Sequence, residues 1–173
     1  MLDRHVAVSL RLPTQADISG FAEIRSDADI QHSLLAYPGG GAAIDVEGWL
    51  DRKRQDPDCI VLTVATSSNA MVGYVQFAQV HRRGRHAYFG IAISRKCWGH
   101  GYGRAAVAAA LAYARSEMGL RKVMLEVRAD NTAACRIYEN AGFRAVGTMR
   151  RHYFDGTQWH DVHLMEACLE TSA

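Results

Sequence analysis

The sequence predicts a mixed α/β domain, α+β in character, built on a twisted, mostly antiparallel sheet of about seven strands flanked by about four helices. Two observations predict it. Hairpin signals join neighbouring strands in the middle and at the end of the chain. A single strand–helix–strand unit lies between them, which makes the sheet mixed rather than purely antiparallel. At 173 residues the chain is long enough for one domain, taken as 1–173, with a substantial core.

The elements follow in order. "VAVSLRL" (6–12) alternates as a strand does and ends at Pro13-Thr14. "TQADISGFAEIRSD" reads as one short helix, with Thr14 or Asp17 as its N-cap. The glycine-rich "YPGGG" (37–41) precedes a helix over roughly 44–55. "CIVLTVAT" (59–66) and "AMVGYVQFAQV" (70–80) form a hairpin through "SSN", and "HAYFGIAIS" (86–94) is reached through "HRRGR". A helix then runs to about Met118 and stops at Gly119. "RKVMLEVRA" (121–129) is a strand, and "DNTAACRIYENAGF" a helix capped by Asn131 and stopped by Gly142. The chain closes on a hairpin turning at Asp155-Gly156.

Composition narrows the function classes. Apolar residues make up 49% and charged residues 22%, as in ordinary soluble proteins, and a net charge of +2 gives no footing for nucleic-acid or membrane binding. The longest uncharged apolar run, Ala105–Ala114, is about half of what a membrane span requires. The first residues carry Asp3 and Arg4 and lack an apolar signal core, so export is not expected. Cys59, Cys97, Cys135 and Cys168 are scattered without a CxxC pair, which fits reduced thiols in the cytoplasm and no metal site. A homodimer is compatible with the sequence.

One stretch, "CWGHGYGRAAVAAALAYA" (97–114), spends Gly99, Gly101 and Gly103 at the mouth of a helix. Helix N-termini present unpartnered N–H groups and partial positive charge, and glycine lets the backbone approach a phosphate closely. Arg104 adds a full charge. A P-loop needs GxxxxGK[S/T], which is absent, and a dinucleotide site needs GxGxxG with an acid ending the next strand, whereas the spacing here is GxGxG. The pyrophosphate of coenzyme A is the third reading, and a structural turn the bland alternative.

"GIAISRKCWGHGYGRAAV" resembles motif A of the GNAT superfamily of N-acetyltransferases, its phosphate-binding pattern falling on Trp98, Gly99, His100, Gly101, Tyr102 and Gly103. "LEVRADNTAACRIYENAGF" resembles motif B, with Asn131, Tyr138, Gly142 and Phe143 at its marker positions. The two ends of the chain resemble the ribosomal-protein (RimJ/RimL-type) branch and its small-amine relatives. Trp98 stands where the superfamily usually has Arg or Gln, and Tyr88 where many members carry a glutamate base.

The resemblance implies a GNAT-like fold and direct acetyl transfer from acetyl-CoA to a primary amine. A protein N-terminus is the leading acceptor; a small amine (polyamine, amino sugar or aminoglycoside) and a non-catalytic acyl-CoA-binding module are the alternatives. Neither a nucleic acid nor a membrane is an expected partner. Because a lysine-like amine is almost wholly protonated near neutral pH, at a penalty of about 4 kcal/mol, a positioned base is expected. Glu126, interrupting the apolar run "VMLEVRA", is the candidate, with a carboxyl raised by desolvation; the competing reading pairs it with Arg128 on the same strand face. In the ribosomal-protein branch a glutamate in a similar segment precedes the tyrosine acid by the same interval that separates Glu126 from Tyr138. Tyr138 is accordingly the candidate acid for the departing thiolate, against a plain core tyrosine. The resemblance also places Asn131 near the coenzyme and gives the main chain of Ile91, Ala92 and Ile93 to its pantetheine arm and thioester carbonyl.

Other features carry less. "HRRGRH" (81–86) reads as a solvated hairpin end. His160 and His163 fall on opposite faces of one strand, and with His152 read as surface or pocket residues rather than ligands. "YPGGG" and Trp49 are expected to edge the acceptor site.

Overall fold

The structure, a computed structural model, describes residues 6–36 and 44–169. Seven strands are present among them: β1 (Val8–Arg11), β2 (Ile60–Thr66), β3 (Met71–His81), β4 (His86–Ile93), β5 (Lys122–Arg128), β6 (Arg144–Phe154) and β7 (Trp159–Cys168). The described helices are α1 (Ile18–Ser26), α2 (Ala28–Ser33), α3 (Val46–Gln55), α4 (Tyr102–Ser116) and α5 (Thr132–Asn140). The strands form one sheet in the order β1-β2-β3-β4-β5-β7-β6. β4 and β5 pair in parallel through the α4 crossover, and the other described pairs are antiparallel. This is the mixed, mostly antiparallel sheet that the hairpins and the βαβ unit predict.

Period-two alternation sends each strand's side chains to two cores. Leu62, Val75, Phe77, Val123, Leu125 and Val127 face α4 and α5. Val61, Tyr74 and Ala92 face α1, α2 and α3, where they meet Phe21, Ile24 and Leu50. Ala106, Ala110 and Ala114 are fully buried along one stripe of α4, so small side chains let this helix lie close to the sheet.

The segment expected as one helix over 14–27 is a 3-10 turn running into α1, and α2 lies beyond it. Gln15–Asp17 forms a 3-10 turn, and α1 and α2 are separated at Asp27, which is extended (φ −77°, ψ 109°) and caps α2 by accepting from the Ile30 N–H at 3.1 Å. Asp17 does not cap α1. Its buried carboxylate instead takes Arg11 at 2.6 and 2.9 Å and the N–H and hydroxyl of Thr14. Burial opposes its ionisation, but these hydrogen bonds prevail and hold the carboxyl at about 2. The closing turn is also longer than a two-residue Asp-Gly turn. Phe154 pairs with Trp159 around Asp155–Gln158, and Asp155 Oδ1 accepts from the Thr157 and Gln158 N–H groups while Gly156 takes φ +100°.

The β4–β5 pair positions the site. It is hydrogen-bonded only from His86↔Lys122 to Tyr88↔Met124, although β4 continues to Ile93 and β5 to Arg128. Beyond Tyr88 the strands diverge and open a wedge in the middle of the sheet.

Candidate active site

The wedge continues into a cleft of about 990 Å³ that reaches the N-terminus of α4. At that mouth Gly99 (φ +76°) and Gly101 (φ +84°) are both left-handed, which only glycine adopts without strain. Gly101 is the N-cap and has no side chain to give, so no side chain caps the first-turn N–H groups of α4. A Cβ at Gly99 would meet nothing, and one at Gly101 only Val6, so the surface above the glycines is open. An open turn, an uncapped helix start and an unpaired β4 edge are features a diphosphate and an extended amide-bearing arm require. The donor set therefore fits coenzyme A.

Two side chains enter from opposite sides. Tyr138, on α5, is buried in the core with Val123, Leu125 and Val127, its ring against Phe143 at 5.6 Å, and it also lines the cleft. Burial pushes its hydroxyl above the usual phenol range, with a smaller push from Cys135, so it stays protonated as a donor. Glu126 alternates with Leu125 and Val127 and lines the cleft from the other face of the sheet. It is exposed rather than desolvated, a correction to the expected buried carboxylate, because opposite it β4 has already diverged. The competing pairing is not observed either, because Arg128 turns to Asp130 at 2.6 and 2.9 Å.

On the Glu126 side, α2 forms a wall tied down at both ends. Arg95 grips Asp27 and Asp29, and Lys96 and Ser94 hold Glu23, joining α1 and α2 to the segment after β4. Farther along, the Tyr153 hydroxyl donates to Ala36 O at 2.9 Å and meets His32 Nδ1 at 2.8 Å.

Among the expected residues, Ile91, Ala92, Ile93, Trp98, Gly99, Gly101, Tyr102, Gly103, Arg104, Glu126, Asn131 and Tyr138 all line the cleft. His100 does not; it is exposed outside the lining. Asn131 caps α5, accepting from the Ala134 N–H at 3.2 Å. The Trp98 indole donates to Ile93 O at 2.8 Å, so that carbonyl is already occupied.

Trp49 is a correction: it packs on Phe21 and Tyr74 beneath Arg25, in the second core, and is not part of the cleft lining. The "YPGGG" segment lies outside the described residues. His160 is likewise no surface histidine. It is buried between Asp155 (2.6 Å) and Asp130 (3.1 Å), where it braces the end of β7, while His163 meets Thr148.

The cleft residues unanticipated from sequence include Ile30 and Ser33 of α2, Leu34 and Leu35 just after it, and Gln79. Gln79 sits in a β3 bulge at φ +51°, aligned with the cleft by an irregular register that no local pattern announces. The signal for α2 was present, in Asp27 as an N-cap.

Comparison with known proteins places this geometry. A family model described as an acetyltransferase (GNAT) domain matches residues 8–144. A spermidine N(1)-acetyltransferase of Vibrio cholerae is 28% identical over 102 residues, 59% of this chain and 59% of that protein. The N-alpha-acetyltransferase RimI of Mycobacterium tuberculosis is 35% identical over 91 residues, 51% of this chain and 55% of that protein. The matched stretches thus span under two thirds of these relatives. The crystal structure of spermidine N-acetyltransferase from Vibrio cholerae in complex with CoA and spermine superposes with a TM-score of 0.87 at 22% identity, covering 94% of this chain and 95% of that one, a likeness of fold. With its wedge, its glycine-led helix and a family match over most of its length, the chain belongs to the GNAT acetyltransferase family.

Proposed function

We propose that the protein is an acyltransferase that moves the acetyl group of acetyl-CoA directly to the primary amine of a small molecule. The observation that carries the reading is the cleft through the divergent β4 and β5, with Glu126 at one face of the sheet, Tyr138 at the other and the open glycine turn at its mouth. The likeness to spermidine acetyltransferases supports a small amine in place of the protein N-terminus that the ribosomal-protein resemblance implies. The RimI likeness, 35% over 91 residues, favours the N-terminal amine as the second reading.

Acetyl-CoA supplies an activated thioester. The residues around 98–104 hold its diphosphate by main-chain N–H groups, with Arg104 at the lip, and the β4 edge around Ile91 and Ala92, paired to β3 but no longer to β5, orients the arm. Glu126 takes a proton from the ammonium, directly or through water. The amine nitrogen then bonds to the acetyl carbon as the carbon–sulfur bond breaks, and Tyr138 donates its hydroxyl proton to the departing sulfur. The second proton that the nitrogen sheds in becoming an amide passes to water, from which Tyr138 is reprotonated. The same reading carries one domain over 1–173 and a cytoplasmic location, and admits a homodimer. Among the described residues no helix is long and apolar enough to cross a membrane.

Release of free thiol from acetyl-CoA, followed with small amines and with peptides bearing free N-termini, tests the assignment. Turnover of small amines with little or none of peptides is expected. Turnover of peptides alone would restore the N-terminal acceptor, and saturable CoA binding without transfer to any amine would make the protein a binding module.

A further inference from the structure

From the charge distribution around the acceptor half of the cleft, and resting on the acetyltransferase reading above, we infer that the acceptor carries a single positive charge on an apolar body, in contrast to a polyamine. The acceptor half is the side of the sheet that α2 covers. Its wall is apolar at Ile30, Leu34 and Leu35. It is polar but neutral at Ser33, Gln79 and Tyr88. Glu126 is the one carboxylate among the described residues lining the cleft, and no described residue pairs with it.

The other carboxylates of α1 and α2 do not line the cleft: Glu23 meets Lys96, and Asp27 and Asp29 share Arg95. Asp130 is held by Arg128 and His160, and Asp155 by His160. A cation taken from water into such a wall is tolerated only where an opposite charge receives it. Glu126 can receive one ammonium group. The further ammonium groups of a polyamine would face Leu34, Leu35 and Ile30, whereas an alkyl or aryl body gains there by leaving water.

The test compares kcat/KM for phenethylamine and hexylamine with that for spermidine, by thiol release from acetyl-CoA with the full chain. The expected result is a preference of about tenfold or more for the monoamines. A smaller ratio, or a preference for spermidine, would overturn the inference while leaving acetyl transfer intact. Absence of amine-dependent thiol release with all three would instead overturn the small-amine reading and this inference with it. The same assay with peptides bearing free N-termini then decides whether acetyl transfer itself survives. Ser33→Glu provides an independent arm, since it adds a second carboxylate to the wall. Spermidine kcat/KM should then rise about tenfold relative to phenethylamine, with the fold checked by an unchanged melting profile. No relative gain in the folded variant would overturn the charge argument.

Discussion

Glu126 and Tyr138 reach one cleft from opposite faces of the sheet, the first exposed on β5 and the second buried beneath α5. The separation gives the two groups different environments, one open to solvent and one dry. An acceptor-side base and a donor for the leaving sulfur need to differ in that way. The relationship exists because β4 leaves β5 after Tyr88, so that a gap joins the two faces.

Removing the hydroxyl in Tyr138→Phe should lower kcat by about 100-fold with KM for acetyl-CoA changed by no more than a few fold. Burial keeps this phenol protonated, so the wild-type protein should show no alkaline loss of activity from Tyr138 below about pH 10. Steady-state rates across pH check both points, and an unchanged kcat would take Tyr138 out of the mechanism.

For Glu126→Gln, a rate loss of about 100-fold is expected near neutral pH. The deficit should narrow as pH rises toward the amine's own pKa of about 10, because an amine already neutral no longer needs the carboxylate. The wild-type to variant ratio, plotted against pH, reports this directly. A ratio flat across pH would mean that Glu126 does not remove the proton.

Glycines at the α4 mouth should respond with opposite signs. Gly101→Ala places a Cβ at φ +84° and should cost about 1–2 kcal/mol, with weaker CoA binding. Gly103 lies within α4, and its Cβ would make an ordinary 3.5 Å contact with Ile137, so Gly103→Ala should stabilise by up to about 1 kcal/mol. Chemical denaturation separates the two, and thermal shift by CoA reads the binding.

Asp17→Asn should destabilise the protein by about 2 kcal/mol at neutral pH. The folded carboxyl, at about 2, is depressed from the ordinary 3.8, so its contribution is complete above about pH 4 and is lost as pH falls toward 2. Unfolding free energies at about pH 7, 4 and 3 should show the variant's deficit constant between the first two and reduced at the third.

Local chemistry made much of the fold legible. Hairpin residues, the Asn131 cap and the left-handed Gly119 and Gly142 act over a few residues, and each ends an element where its chemistry requires. The failures share a cause. Asp17 has the sequence position of a cap, but Arg11 and Thr63 reach it from two strands and turn it into a clamp. His160 has the pattern of an exposed hairpin residue, yet two aspartates close over it.

The amino-acid sequence alone determined the order of the strands and of the helices other than α2, the sheet class and the glycine-led start of α4, since hydrophobic period, caps and turn residues are properties of neighbours along the chain. Only the tertiary structure decided that Glu126 stands in the open while Tyr138 is buried, that Trp49 belongs to a core, and that the carboxylates of α1 and α2 are spent on Arg95 and Lys96. Burial and charge pairing depend on which distant segments meet, and that is set by how β4 and β5 part and how α2 is tied across the gap.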